Sequence, residues 1–275
     1  MPADPFHLIS TPVPLLPNLG LRVKVGLSGE DPGGLRHRGV GFAVWITLYS
    51  PNGARVKRWK AADLPAGERL LLDLTAATSE HSFEEPHLAV VHRVPVGVEE
   101  GDFDMYRTMV QLERPGRGSG SVIYETPPHF NAKPGKGSFF SFSNQVVTGP
   151  GTTTFLALLH YSVNPGYAHS AKRRLILYNA NGTLSAVDDG TVAPFSVGLV
   201  DLSALGAKGE GLRQRSAVVC SPDASLIPLF INLDEKLGGV SVEHTHPPFT
   251  YLGMPAPSAG KVRQGAIAHY LAVRA

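Results

Sequence analysis

Cysteine is nearly absent from this chain: Cys220 is the single one among 275 residues. An intramolecular disulfide is thereby excluded, and so is a zinc cluster built from several thiolates. Charge of either sign is sparse. Lys and Arg total 25, Asp and Glu total 23, the net charge is +2, and only 17% of residues are charged. Such a chain lacks the dense field that draws nucleic acid or anionic lipid, so no nucleic-acid partner is expected. Long hydrophobic runs are missing too. None approaches the roughly 18 apolar residues that span a bilayer, and the best, around residues 155–159, ends in polar residues. The opening segment, MPADPFHLISTPVPLLPNLG, has five prolines and no basic region followed by a continuous apolar stretch, which excludes a signal helix. A soluble protein of a reducing, cytoplasmic setting without a transmembrane segment is the expectation.

What is abundant is glycine and proline, 30 and 23 residues, well above the usual combined share of about 12%. Dispersed among short apolar runs, they indicate many strands joined by tight turns and disfavour disorder or a helical bundle. At roughly 100–200 residues per domain the length suits two domains.

The chain repeats itself. VWITLYSPNG at 44–53 matches RRLILYNANG at 173–182, and LLDLTA at 71–76 matches LVDLSA at 199–204. In the same order, LAVVHRVP at 88–95 meets SAVVCSPD at 216–223, MYRTMVQLE at 105–113 meets LIPLFINLD at 226–234, and SVIYETPP at 121–128 meets SVEHTHPP at 241–248. Collinear order across both halves marks an internal duplication. The first copy reads as seven strands near 21–28, 40–49, 54–60, 68–74, 87–94, 105–112 and 121–125. Asn52-Gly53 and Asn181-Gly182 supply the positive φ of tight hairpins. The expected fold is all-β: two tandem immunoglobulin-like antiparallel β-sandwich domains, the first over 1–135 with an N-terminal extension, the second over 136–275 with a C-terminal extension, packed against each other. The uninterrupted apolar run 155–159 should be covered on both faces, in part by the other copy. Phe139, Phe140 and Phe142 are expected in the core or at the join, and FFSFSNQVV at 139–147 reads as an added strand with a counterpart at 6–16. Residues 256–260 read as a loop, and 261–275 as either a helix or an edge strand.

The turn and strand signals Asn164-Pro165-Gly166, LYNANG at 177–182, VDLSAL at 200–205 and SAVVCSP at 216–222 resemble the small bacterial β-sandwich proteins of the sensory-rhodopsin transducer type. The likeness covers one copy at a time. It implies a non-enzymatic oligomeric binding or signalling protein.

The sharpest constellation is His244 and His246. In a strand they share a face, and two imidazoles so placed can hold a divalent metal such as zinc. Tyr124 and Thr126 stand at the matching positions of the first copy, so the pair does not belong to the shared fold. His160, His169 and His269 are candidates for a third ligand, with nothing in the spacing to select one. A cupin needs a carboxylate soon after the histidines, and residues 249–253 have none. His87 and His92 fall on opposite faces of one strand, and His92 corresponds to Cys220, a half-buried position by this reading. Asp73 and Asp201 in D-L-[ST]-A read as repeated turn caps. The acidic run at 99–104 lacks a calcium-loop pattern, and Gly116–Gly120 with Arg114 and Arg117 lacks a phosphate-loop pattern. No G-x-S-x-G elbow marks a nucleophile. The expected function is therefore a non-catalytic binding or adaptor protein engaging a protein partner or small ligand. A metal-binding protein or metal-dependent enzyme using His244 and His246 is the alternative, and a structural assembly component the second. A homo-oligomer is compatible with each.

Overall fold

A computed structural model describes residues 9–29, 39–81, 83–97, 108–124, 133–205, 211–244 and 256–274. The first half carries β1 (Ser10–Leu15), β2 (Arg22–Ser28), β3 (Phe42–Tyr49), β4 (Arg55–Leu64), β5 (Arg69–Asp73), the one-turn helix α1 (Leu74–Ala77), β6 (His87–Pro95), β7 (Thr108–Glu113) and β8 (Ser119–Tyr124). The second carries β9 (Phe139–Thr148), β10 (Thr152–His160), β11 (Ala171–Asn179), β12 (Leu184–Val192), β13 (Ser196–Asp201), β14 (Arg213–Ser221), β15 (Ile227–Asp234), β16 (Val240–Glu243) and the helix α2 (Ala256–Ala272).

The described strands form four antiparallel sheets: β1-β6-β3-β4 (sheet A), β5-β2-β7-β8 (sheet B), β9-β14-β11-β12 (sheet C) and β13-β10-β15-β16 (sheet D). Adding eight to each strand number of A and B yields C and D, so the duplication in sequence is a duplication of topology. Each copy has eight strands, the seven read along the first copy and the added strand read at 139–147 and 6–16. The extra pair is β1 and β9, where proline in one and serine in the other dilute the alternating pattern.

Local chemistry recurs with the strands. Gly53 and Gly182 adopt φ 82° and 78°. Their amides bond the carbonyls of Ser50 and Asn179, each at 2.9 Å. Asn52 and Asn181 Oδ1 accept from the amides of Ala54 and Thr183. In D-L-[ST]-A, Asp73 Oδ1 accepts from the Ala76 amide at 2.9 Å, and Asp201 Oδ1 from Ser203 and Ala204 at 2.8 and 3.2 Å. The hydroxyls of Thr75 and Ser203 accept from the amides of Val23 and Thr154 on the neighbouring strand. Leu74 and Leu202 are fully buried beneath. Both aspartates are turn caps, and the hydroxyls pin α1 or its counterpart to β2 or β10.

Sheet A is buried on both faces. Val44, Ile46, Leu48, Ala89 and Val91 turn towards sheet B. Arg93, 1% exposed, lies among them, and its Nη2 donates to Thr108 Oγ1 at 2.6 Å. On the other face the register places Ser10, His92 and Trp45 side by side, then Pro12, Val90 and Thr47, then Pro14, Leu88 and Tyr49. This face meets sheet D, with β6 against β13 and β1 against β10. The run 155–159 is accordingly split: Leu156 and Leu158 belong to the core of the second sandwich, Ala157 and Leu159 to the cluster shared with the first. His92 sits in this junction, fully buried rather than half-buried, with Nδ1 at 2.8 Å from Ser10 Oγ and Nε2 at 2.8 Å from Thr47 Oγ1.

Three further contacts fix the sandwiches together. Tyr49 stacks on Phe195 at 5.0 Å, and Phe195, at φ 54°, is the one non-glycine in the left-handed region among the described residues. The β7–β8 hairpin carrying Gly116 is a tight turn, closed by the Arg117 amide on the Arg114 carbonyl at 3.0 Å. Its Arg114 bonds Glu235 at 2.8 Å across the junction. At Gly120 the backbone of β8 comes so near β16 that a Cβ would lie 3.0 Å from Val240 O and Val242 N.

The two hairpin glycines give a test of this packing. Gly182→Ala is expected to cost about 1–2 kcal/mol from the left-handed backbone alone, since nothing lies within 4 Å of its added Cβ. Gly53→Ala should cost clearly more, because its Cβ would meet the Pro194 carbonyl oxygen at 1.9 Å. Urea denaturation of both variants decides it, and equal losses would refute the contact between hairpin and second sandwich.

Candidate functional site

The outer face of sheet C repeats the register of sheet A. Phe140, Cys220 and Arg174 lie side by side, as do Phe142, Val218 and Ile176, followed by Ser216 and Tyr178. Here the cover is α2, which contacts β9, β11 and β14. Ile267 is buried against Phe140, Ile176, Val218 and Cys220, and Tyr270 stacks on Phe140 with ring centroids 5.5 Å apart. Arg174 ties down the end of the helix. It grips Asp189 with Nε and Nη2 at 2.7 and 2.6 Å while Nη1 donates to the carbonyls of Leu271 and Val273. A cation on the terminal carbonyls satisfies them and opposes the negative end of the helix dipole. The bidentate bond from Arg174 holds the Asp189 carboxyl below its ordinary range.

These residues correct two expectations. Residues 256–260, read as a loop, are the first turns of α2. Pro257 fits there because an amide in the first turn has no intrahelical acceptor. The phenylalanine cluster is divided rather than shared with the first copy: Phe139 enters the core of the second sandwich, Phe140 lies under α2, and Phe142 is 39% exposed. Beside the helix runs a groove of about 460 Å3 walled by Phe140, Phe142, Tyr178, Asn179, Val218 and Tyr270. Its mix of aromatic walls and a few polar groups is the usual make-up of a recognition site.

His160 belongs to a different place, the end of β10 facing the β12–β13 connection. Asn164-Pro165-Gly166 forms an Asx turn there, with Asn164 Oδ1 accepting from the Gly166 amide at 3.0 Å. The turn brings Tyr167 edge-on to His160 at 5.4 Å, and His169 follows, 3.4 Å from Asp223. His160 Nδ1 lies 3.1 Å from the carbonyls of both Val192 and Ala193. No described protein group bonds His160 Nε2 or the Tyr167 hydroxyl, though both atoms are buried. Burial raises the Tyr167 pKa, with Asp223 adding to the effect. Among the described residues no three His, Cys, Asp or Glu side chains gather as a metal site.

Of the histidine pair, His244 is described and half-buried, with Nδ1 2.9 Å from the Pro228 carbonyl. A ring that donates Nδ1–H to a carbonyl carries its lone pair on Nε2, the tautomer of many metal-bound histidines. His246 lies outside the described residues, as do the acidic run 99–104 and Asp31 to Gly33. Glu243 turns away from His244 and accepts from Ser143 Oγ. His269 is adjacent to Tyr270 on α2, edge-on at 5.0 Å. The groove was not legible in the sequence because 261–275 read equally as helix or edge strand and nothing placed it on sheet C, and the His160–Tyr167 contact was not legible because the strand and the turn are joined by nothing in their spacing.

His160 makes stability depend on pH. Burial lowers its pKa below the ordinary 6.5, so the unfolded chain takes up the proton more readily than the folded one. The contribution is whole above 6.5 and is lost as pH falls below it towards the lower folded value. Melting temperature should therefore drop between about pH 7 and pH 5, and His160→Gln should flatten that drop. Calorimetry across the pH series tests this, and an unchanged slope in the variant would refute it.

No family model and no curated protein matches this chain. Among solved structures, Bacteroides uniformis beta-glucuronidase 2 bound covalently to cyclophellitol-6-carboxylate aziridine aligns over 86% of this chain and 25% of its own, with 13% identity and a TM-score of 0.19. The beta-D-glucuronidase of Dictyoglomus thermophilum aligns over 86% and 35%, with 9% identity and a TM-score of 0.17. The pilus backbone of Streptococcus pneumoniae aligns over 86% and 78%, with 13% identity and a TM-score of 0.16. The chain spans about a quarter of the first of these enzymes and about a third of the second. At such scores neither family nor activity passes from these proteins to this chain.

Proposed function

We propose that this chain is a non-catalytic double-sandwich binding module that engages a protein partner through the groove on the outer face of sheet C. The observation that carries the reading is the groove itself: an aromatic-walled channel flanked by a helix, with Phe142 at its rim left open to solvent. Large aromatic side chains at a concave, partly exposed site are the anchors on which protein recognition concentrates its energy. Apart from Tyr270 of α2, the wall residues named come from strands β9, β11 and β14 of one hydrogen-bonded sheet, so little conformational entropy is lost when a segment docks. An extended peptide bearing an aromatic or aliphatic side chain is the ligand this shape favours. The resemblance to transducer-type sandwiches supports the same class, a binding or signalling protein.

Selection from a random peptide library displayed on phage tests the reading. Peptides with apolar anchors should be enriched on the wild-type chain. Phe142→Asp should abolish their binding, whereas Leu237→Asp, at the exposed β15–β16 turn of sheet D, should leave it unchanged. Absence of enrichment, or enrichment indifferent to Phe142→Asp, refutes the site.

A further inference from the structure

The groove on the outer face of sheet C is walled by rings and carries no charge. Of the ten residues around it four are aromatic, Phe140, Phe142, Tyr178 and Tyr270, and none is Asp, Glu, Lys, Arg or His. Register fixes its width. Phe142 on β9 and Tyr178 on β11 flank β14, which supplies Val218 and Ser216 as the floor, and two neighbours of one strand lie about 10 Å apart. The slot is one chain wide. Its side-chain polar atoms, apart from the Asn179 amide, are hydroxyls: the phenols of Tyr178 and Tyr270 and Oγ of Ser216, none of which bonds a described protein group.

The backbone forms a peptide can take make different demands on such a slot. An added β-strand needs a free edge, but β14 is hydrogen-bonded on both sides, to β9 and to β11, so the floor offers no backbone groups. A helix bonds its own carbonyls and leaves few for the hydroxyls. A polyproline II segment has no internal hydrogen bonds, so its carbonyls stand free between apolar pyrrolidine rings. We infer that the groove takes a proline-rich segment of a partner protein in the polyproline II form, with prolines between Phe142 and Tyr178 and the hydroxyls of Tyr178, Tyr270 and Ser216 donating to its carbonyls. The inference rests on the groove reading above and narrows it.

Each partner of the match has what the other lacks. The groove brings donors and rings, and the segment brings acceptors and apolar rings already near their bound conformation, so little order is imposed on docking. Burial, with Tyr270 beside it, raises the Tyr178 pKa, and the phenol keeps the proton it donates. A glycan fits less well. Its sugar rings carry hydroxyls that need acceptors as well as donors, and the Asn179 side chain is the one amide in the lining.

The test carries the phage selection further on the full chain. Enriched sequences should share closely spaced prolines, and the most enriched is made as a labelled peptide and titrated by fluorescence anisotropy. Alanine in place of its prolines should weaken binding by on the order of tenfold or more. Tyr178→Phe combined with Tyr270→Phe keeps both rings and the stack on Phe140, and should weaken binding by on the order of tenfold at an unchanged melting temperature. If that double variant melts lower, Ser216→Ala should give a loss of about threefold on its own. Enriched peptides without proline, affinity indifferent to alanine in place of proline, or affinity untouched by removal of the hydroxyls each overturn the inference, and the groove reading stands if Phe142→Asp still abolishes binding. A labelled cello-oligosaccharide that binds the wild type and not Phe142→Asp overturns it in favour of a glycan. No enrichment at all removes the groove reading, and this inference with it.

Discussion

A four-stranded sheet with apolar side chains on both faces cannot stand at the surface of a protein, and sheet A is such a sheet. One face holds Val44, Ile46 and Leu48; the other holds Leu88, Val90 and Tyr49, and all are buried. Antiparallel sheets commonly leave one face to water. Here the hydrophobic effect requires a second cover, and sheet D supplies it. The positions of Phe195, Arg114 and Gly120 follow, since each works only while D is held on A at this distance.

The junction is not purely oily. His92 is buried in it between two hydroxyls, at 2.8 Å from each. Buried polar groups cost free energy unless bonded, and the bonds to Ser10 and Thr47 offset that cost while restricting the sliding of β1 on β6 and β3. In the second copy the corresponding Cys220 lies under a helix, where a small, nearly apolar side chain suffices. One position in the repeat has thus taken two chemistries to suit two covers.

Much of the fold was legible because turns announce themselves chemically. Asn-Gly at 52–53 and 181–182 and the D-L-[ST]-A caps recur in order, and a duplicated order of turns implies a duplicated order of strands. The eighth strand was harder to read, since β1 carries Pro12 and Pro14, and proline usually argues against a strand away from an edge. β1 is such an edge, so its prolines are tolerated. The helix α2 was ambiguous because Gly260, Gly265 and Pro257 weaken its helical signal; docking on Phe140 and the grip of Arg174 make up for low propensity, and tertiary contacts of this kind leave no local trace. Buried Arg93 gave no sign either. A cation in a strand normally marks a solvated face, and long-range bonds, those to Thr108 and Ser28 among them, accommodate it inside. The candidate site was the least legible part, because the groove exists only where a sheet and a helix meet. His244 and His246 stood out by their spacing, but spacing says nothing of what lies opposite.

The direct stacking of one sandwich on the next also sets an order of assembly. Chains fold from the N-terminus as they are synthesised. All eight strands of the first sandwich have been made by Tyr124, yet the outer face of sheet A has no cover until β10, β13 and β15, the last ending at Asp234, have followed. Throughout that interval the nascent chain presents Leu88, Val90 and Tyr49 to the surrounding medium. The first sandwich is thus complete in hydrogen bonds long before it is complete in burial, and its outer apolar face is satisfied only when the second half has folded onto it.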